Sequence, residues 1–172
     1  MKKYFMVTIA FLLFSLPFYS QKNIVKFGFL HNGGTNYGFT YERSIASNFS
    51  LLAQWGFVTD IIFDTDNAES FQVGSGLYLE GRYYFQKEKD LMEGWHVGVN
   101  FLFQDTEMED DFSTEYLKRK GFGVTTGYQW IFLNHLTIDT MFGLGYSINS
   151  TNIKNLDNGV IFILGANLGY NF

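Results

Sequence analysis

The sequence predicts an all-β protein, an eight-stranded antiparallel up-and-down transmembrane β-barrel over 21–172, preceded by a cleavable signal peptide over 1–20. Three observations predict it. The first is the final stretch, Gly159 to Phe172, whose even positions are all apolar (Val160, Phe162, Leu164, Ala166, Leu168, Tyr170, Phe172). Its odd positions are mostly glycine or amide, with Ile161 and Ile163 as the apolar members. Strand side chains alternate between two faces, so one face is bulky and greasy and the other slim. The second is composition: 20 % aromatic residues and 18 glycines against a single proline favour strands over helices. The third is the N-terminus, where Lys2 and Lys3 precede an apolar run from Tyr4 to Leu16, with Ser20-Gln21 as the cleavage point. Beyond that run, no apolar segment approaches the roughly 20 residues of a spanning helix.

Strand one runs from Ile24 to His31, with Val25, Phe27 and Phe29 on one face and Lys26 and Gly28 on the other. Asn32-Gly33-Gly34 signals a tight turn, because glycine supplies positive φ at no steric cost. Strand two, Asn36 to Arg43, turns Tyr37, Phe39 and Tyr41 outward against Gly38, Thr40 and Glu42. A polar turn over Ala46–Asn48 leads to strand three, with Phe49, Leu51, Ala53, Trp55 and Phe57 outward, and then to a polar loop, Asp60 to Ser70. Strand four, Phe71 to Phe85, sets Leu77, Leu79, Tyr83 and Phe85 against Gly74, Gly76, Glu80 and Arg82. After a charged connection, Gln86 to Gly94, strand five (Trp95 to Gln104) sets Val97, Val99, Phe101 and Phe103 against His96, Gly98 and Asn100. The longest loop is expected from Asp105 to Lys120. Strand six, Gly121 to Phe132, ends in the reversal Leu133-Asn134-His135. Strand seven, Leu136 to Asn149, carries Asp139, Gly143 and Gly145 on its slim face, and a polar loop to Asn158 leads to strand eight, Gly159 to Phe172.

A soluble barrel would turn the slim face to water, yet that face carries only Lys26, Glu42, Glu80, Arg82 and Asp139 as strand-interior charges. Soluble sheets carry more charge there, which also blocks edge pairing. Turned inward, the same face suits a narrow eight-stranded lumen, where glycines leave room for larger neighbours and the five charges pair with one another. Zero cysteines exclude a disulfide framework and thiol catalysis. A net charge of −5, becoming −7 once Lys2 and Lys3 leave with the signal, speaks against a nucleic-acid partner.

Three segments carry a resemblance: Gly76-Leu77-Tyr78-Leu79-Glu80-Gly81-Arg82-Tyr83-Tyr84-Phe85, Gly127-Tyr128-Gln129-Trp130, and Asp139 followed by Gly143-Leu144-Gly145-Tyr146. They resemble a family of small bacterial outer-membrane β-barrels of unknown function, within the OmpA/OmpX-like barrels. The ending Asn167-Leu168-Gly169-Tyr170-Asn171-Phe172 resembles the terminal assembly signal of outer-membrane proteins. The resemblance implies the outer membrane of a Gram-negative bacterium and no established activity. It also implies that Leu164, Ala166, Leu168, Tyr170 and Phe172 are read by the barrel-assembly machinery.

Catalytic residues are not expected. A lipid hydrolase needs a nucleophile, a base and an orienting acid together on the lipid face. His96 falls in the inward phase, His31 at a loop edge and His135 in a tight turn, none with a serine beside it on an outward surface. The acidic stretch Asp105, Glu107, Glu109, Asp110, Asp111 and Glu115 lacks EF-hand spacing and its glycine, and Asp60, Asp64, Asp66 and Glu69 are weaker still, so no metal and no cofactor are expected. Lys118, Arg119 and Lys120 stand where strand six leaves its loop, either as a rim charge that keeps the strand end in water or as a contact for lipopolysaccharide phosphates. The expected role is that of a monomeric structural or surface-interaction barrel in contact with membrane lipid. A lipid A-modifying enzyme and a small ligand-binding or solute barrel are the alternatives.

Overall fold

The computed structural model describes residues 22–32, 37–63, 69–86, 92–110, 113–151 and 158–172. The expected signal peptide lies outside the described residues, as do Gly33, Gly34, Asp64, Asp66, Asp111 and most of the polar loop before Asn158. Eight strands form one closed antiparallel barrel in chain order: β1 (Asn23–Asn32), β2 (Tyr37–Ala46), β3 (Phe49–Phe63), β4 (Glu69–Tyr84), β5 (Gly94–Asp110), β6 (Ser113–Phe132), β7 (Leu136–Thr151) and β8 (Gly159–Asn171).

The stagger of the strands sets the size of the tube. A row of paired residues runs Val25, Tyr41, Ala53, Leu79, Phe101, Phe122, Tyr146, Val160, whereas Val25 itself pairs with Tyr170, ten residues further along β8. With about 3.3 Å per residue and about 4.8 Å between strands, that offset tilts the strands by about 40° and gives a backbone tube about 16 Å across. Such a bore is filled by side chains.

Two expected loops are largely strand, which moves four strand boundaries. The segment Asp105 to Lys120 is not a loop: β5 continues to Asp110 and β6 starts at Ser113, paired from Gln104↔Arg119 to Asp110↔Ser113. Likewise β3 and β4 continue to Phe63↔Glu69 across the expected loop from Asp60 to Ser70. Beyond the apolar belt the outward positions turn charged (Asp105, Glu107, Lys118) while Thr106 and Leu117 stay buried inward, so the apolar alternation that marks a strand is lost although pairing continues. Strands β3 to β6 therefore rise as paired hairpins past the rest of the wall.

The opposite end is short and closed. Ser47 and Asn48 link β2 to β3, and Leu133 (φ 51°) and Asn134 (φ 64°) make the β6–β7 reversal, closed by the His135 amide donating to Phe132 O at 3.0 Å. The longer connection after β4 has a structural use. Its Met92 is buried against Ile24, Tyr84 and Ile131, an apolar plug across the lumen, and Gln129 Nε2 donates to Met92 O at 2.5 Å. The start of β1 meets the end of the chain here, where Asn23 and Phe172 exchange backbone hydrogen bonds of 3.0 and 2.9 Å.

Glycines on the slim face do two different jobs. Gly28, Gly38, Gly56 and Gly76 form a direct row across β1 to β4. A Cβ at Gly38 would lie 2.7 Å from the Trp55 carbonyl oxygen, so there the wall itself approaches too closely for a side chain. At Gly28 and Gly169 the space is taken largely by side chains: a Cβ would meet Asn167 Oδ1 at 2.6 Å in the first case and Lys26 Cγ at 2.7 Å in the second.

Candidate functional site

Alternation carries charged side chains into the lumen and aromatic ones out of it. Lys26 Nζ lies 2.5 Å from Glu42 Oε2 and 2.8 Å from Asp139 Oδ2, and it also donates to Gln129 Oε1. Arg82 reaches Glu80 at 2.8 Å, Asp139 at 2.9 Å and Glu42 at 3.6 Å. All five charged side chains are fully buried. They form one connected cluster of two cations and three carboxylates. Neutral groups satisfy the remaining lone pairs: Ser50 and Tyr84 donate to Glu42 at 2.5 and 2.7 Å, Thr125 donates to Glu80, and Asn167 donates to Asp139 at 3.3 Å. His96 Nε2 stands 3.3 Å from Asp139 Oδ1. Buried charge is tolerable only with this density of partners.

Above the cluster the lumen departs from the polar interior expected from the sequence. Leu52, Tyr78, Leu102 and Met141 pack into a buried apolar layer, with Ile161 against it. These residues sit in the inward phase, and their burial there closes the tube over the charges. With the Met92 plug below, the cluster is enclosed at both ends. Sequence reasoning did not single out Tyr84, Ser50, Thr125 and Asn167 as partners of these charges, although their parity with Arg82, Gln54, Gly127 and Gly169 along their strands is the signal that finds them.

The outer wall is apolar throughout the belt. Phe39, Val99, Val124 and Phe162 are more than half exposed, and rings pair along two levels. Near the short turns these are Phe49–Tyr83 (4.9 Å), Tyr83–Phe85 (5.4 Å), Trp95–Tyr128 (5.4 Å) and Tyr128–Trp130 (4.6 Å). Near the long hairpins they are Phe27–Phe39 (5.5 Å), Trp55–Phe57 (5.6 Å) and Phe122–Tyr146 (6.4 Å).

The basic triplet at the rim divides. Lys118 and Lys120 are exposed on the outer face, and Lys118 pairs with Asp105 at 3.5 Å. Arg119 does not join them: alternation turns it inward, where it donates to Asn149 Oδ1 at 3.1 Å and Gln104 Oε1 at 3.3 Å. The terminal residues Leu164, Leu168, Tyr170 and Phe172 are exposed on the outer face, with Ala166 partly covered between them. His135 stacks on Tyr170 at 5.2 Å, and its backbone accepts from Asn171, fastening the β6–β7 turn to the last strand. The side chains of His31, Asp60, Glu69, Glu109, Asp110 and Glu115 lie outside the described set. Among the described residues no group of three or more His, Asp or Glu side chains is arranged to hold a metal ion.

Solved structures share this architecture at low identity. The N-terminal β-barrel domain of Pseudomonas aeruginosa OprF aligns over 89% of this chain and 98% of its own, with 15% identity and a TM-score of 0.59. Neisserial surface protein A aligns over 88% and 96%, with 12% identity and a TM-score of 0.58. Ail, the attachment invasion locus protein of Yersinia pestis, solved with the heparin analogue sucrose octasulfate, aligns over 90% and 100%, with 11% identity and a TM-score of 0.54. These likenesses concern the fold. No curated protein matches the sequence. The family described as "Protein of unknown function (DUF3575)" matches residues 5–158, and with most of its length covered the chain belongs to that family.

Proposed function

We propose that this chain is secreted by a signal peptide over 1–20, inserted by the barrel-assembly machinery through its terminal strand, and held in the outer membrane of a Gram-negative bacterium as a surface-interaction barrel without catalysis. One observation carries the reading: along the belt most large apolar side chains, aromatic ones above all, face out, while Lys26, Glu42, Glu80, Arg82 and Asp139 face into an enclosed lumen. Bare aromatic walls of that extent are unfavourable in water and suit hydrocarbon bounded by aromatic girdles. The surface role rests on the hairpins. Beyond Asp105↔Lys118 the β5–β6 ladder continues for five more residue pairs, about 16 Å of strand raised above the belt.

The sulfated ligand of Ail does not transfer easily, because Asp105 and Glu107 place negative charge on the outer face of this hairpin. A lipid-modifying enzyme is less well supported: of the described histidine side chains, His96 is enclosed in the lumen and His135 stacks on Tyr170. The test is fractionation of expressing cells with gel mobility before and after heating. Replacing Thr106–Leu117 by a two-residue turn is then expected to leave the heat-dependent shift intact and abolish binding of the cell to surfaces or host matrix. A freely soluble periplasmic product contradicts the membrane reading, and undiminished binding contradicts the surface role.

A further inference from the structure

The outer wall is not uniformly convex. Across β4, β5 and β6 the outward side chains are small, with Gly81, Val97, Val99, Val124 and Thr126 as neighbours in register. Phe49 and Tyr83 rise on one side, and Phe142, Leu144 and Phe162 on the other, enclosing a groove of about 930 Å³ at mid-height in the belt. Its floor offers no free hydrogen-bonding group of its own, since the one hydroxyl, Thr126 Oγ1, donates to His96 O at 3.0 Å. The groove therefore asks for a hydrocarbon guest.

Directly above it on β6 the outward residues run Val124, Phe122, Lys120 and Lys118. Lys118 is engaged with Asp105, whereas Lys120 makes no ion pair among the described residues. In register it sits between Phe103 and Ile148, both apolar and exposed. A lysine at the top of an apolar belt lays its stem along the hydrocarbon and lifts its ammonium to headgroup level. It stands four residues from Val124, about 13 Å along the strand.

We propose that this face is a lipid site: Lys120 takes a phosphate of the outer-leaflet glycolipid, lipopolysaccharide, and one of that lipid's acyl chains lies in the groove floored by Gly81, Val97, Val99, Val124 and Thr126. The site rests on the membrane reading above and deepens it. A second copy of the chain is a worse occupant. A two-fold axis along the membrane normal would bring Lys120 of each copy to the same depth at one seam, at the edge of a low-dielectric layer. An anionic headgroup meets the same charge favourably.

The test uses the full chain, extracted in mild detergent, stripped of lipid, and titrated with lipid A or with phosphatidylethanolamine under native mass spectrometry. Folding of every variant is checked by its heat-dependent gel shift. One lipid A per barrel is expected, held in preference to phosphatidylethanolamine. Lys120→Glu and Gly81→Trp are each expected to lower its retention tenfold or more, and Lys120→Arg to preserve it. Gly81 tolerates the added bulk, because a Cβ there finds its nearest atom, Leu51 Cδ2, at 3.8 Å. Val99→Phe replaces it if the tryptophan variant fails to fold. Unchanged lipid A retention in both the charge and the groove variants overturns the site while leaving a membrane barrel, as does equal binding of phosphatidylethanolamine. A wild-type chain that is soluble without detergent and shows no heat-dependent shift overturns the membrane reading, and the site with it.

Discussion

Arg82→Met and Asp139→Asn remove opposite charges from the same buried cluster, and they should not cost the same. The cluster holds Lys26 and Arg82 against Glu42, Glu80 and Asp139. Without Arg82, Lys26 alone faces three carboxylates, and Glu80 loses its cation while keeping the Thr125 hydroxyl. Losing one member of a buried ion pair costs about 3–5 kcal/mol, and the methionine chain fills the space, so the penalty isolates the charge. Without the Asp139 charge, two cations face two carboxylates, and the asparagine oxygen still accepts from Arg82 and Lys26. The loss is then that of weakened charge-assisted hydrogen bonds, about 1–3 kcal/mol. Urea unfolding in lipid vesicles, followed by the fluorescence of Trp55, Trp95 and Trp130, measures both. Equal penalties, or a larger one for Asp139→Asn, would refute the reasoning that net charge in the sealed lumen sets the cost.

Two further perturbations separate wall geometry from assembly. Gly56→Ala should destabilise the barrel by more than about 2 kcal/mol, because a Cβ there would sit 2.8 Å from the Tyr37 carbonyl carbon, whereas Gly81→Ala should stay within about 0.5 kcal/mol, both read from the same urea transitions. Phe172→Ser leaves the backbone bonds to Asn23 in place, so it should slow membrane insertion in cells several-fold while shifting the urea midpoint of the refolded barrel little. A large midpoint shift would mark Phe172 as a stability residue rather than an assembly signal.

Period-two alternation made the middle of each strand legible: where one face is apolar and the other lines a filled tube, the sequence must alternate, as it does from Phe49 to Phe57 and from Trp95 to Phe103. Lys26, Glu42, Glu80, Arg82 and Asp139 could be placed inward for the same reason, though their mutual contacts depend on the ten-residue stagger, which no single strand encodes. The hairpin past Asp105 is hidden from the sequence because charged residues replace aromatic ones at its outward positions Asp105, Glu107 and Lys118 while the ladder persists, as it does past Asp60. Arg119 was misplaced by treating three adjacent cations as one patch, against the alternation that assigned its neighbours. The apolar layer of Leu52, Leu102 and Met141 is hard to read from sequence because an apolar residue in the inward phase looks, residue by residue, like one facing out. A charge cluster in a low-dielectric tube needs such lids on both sides to exclude competing water.

The central claim, that the aromatic wall meets hydrocarbon and the slim face does not, is tested most directly by a nitroxide scan. The chain has no cysteine, so single cysteines at Phe57, Val99, Val124, Phe101 and Lys118 can each be labelled in an otherwise silent background. In vesicles, oxygen-rich and water-poor signals are expected to peak at Val99 and Val124, fall toward Phe57, and invert at Lys118. Labels at Val99 and Val124 that collide freely with a water-soluble nickel chelate would contradict the claim.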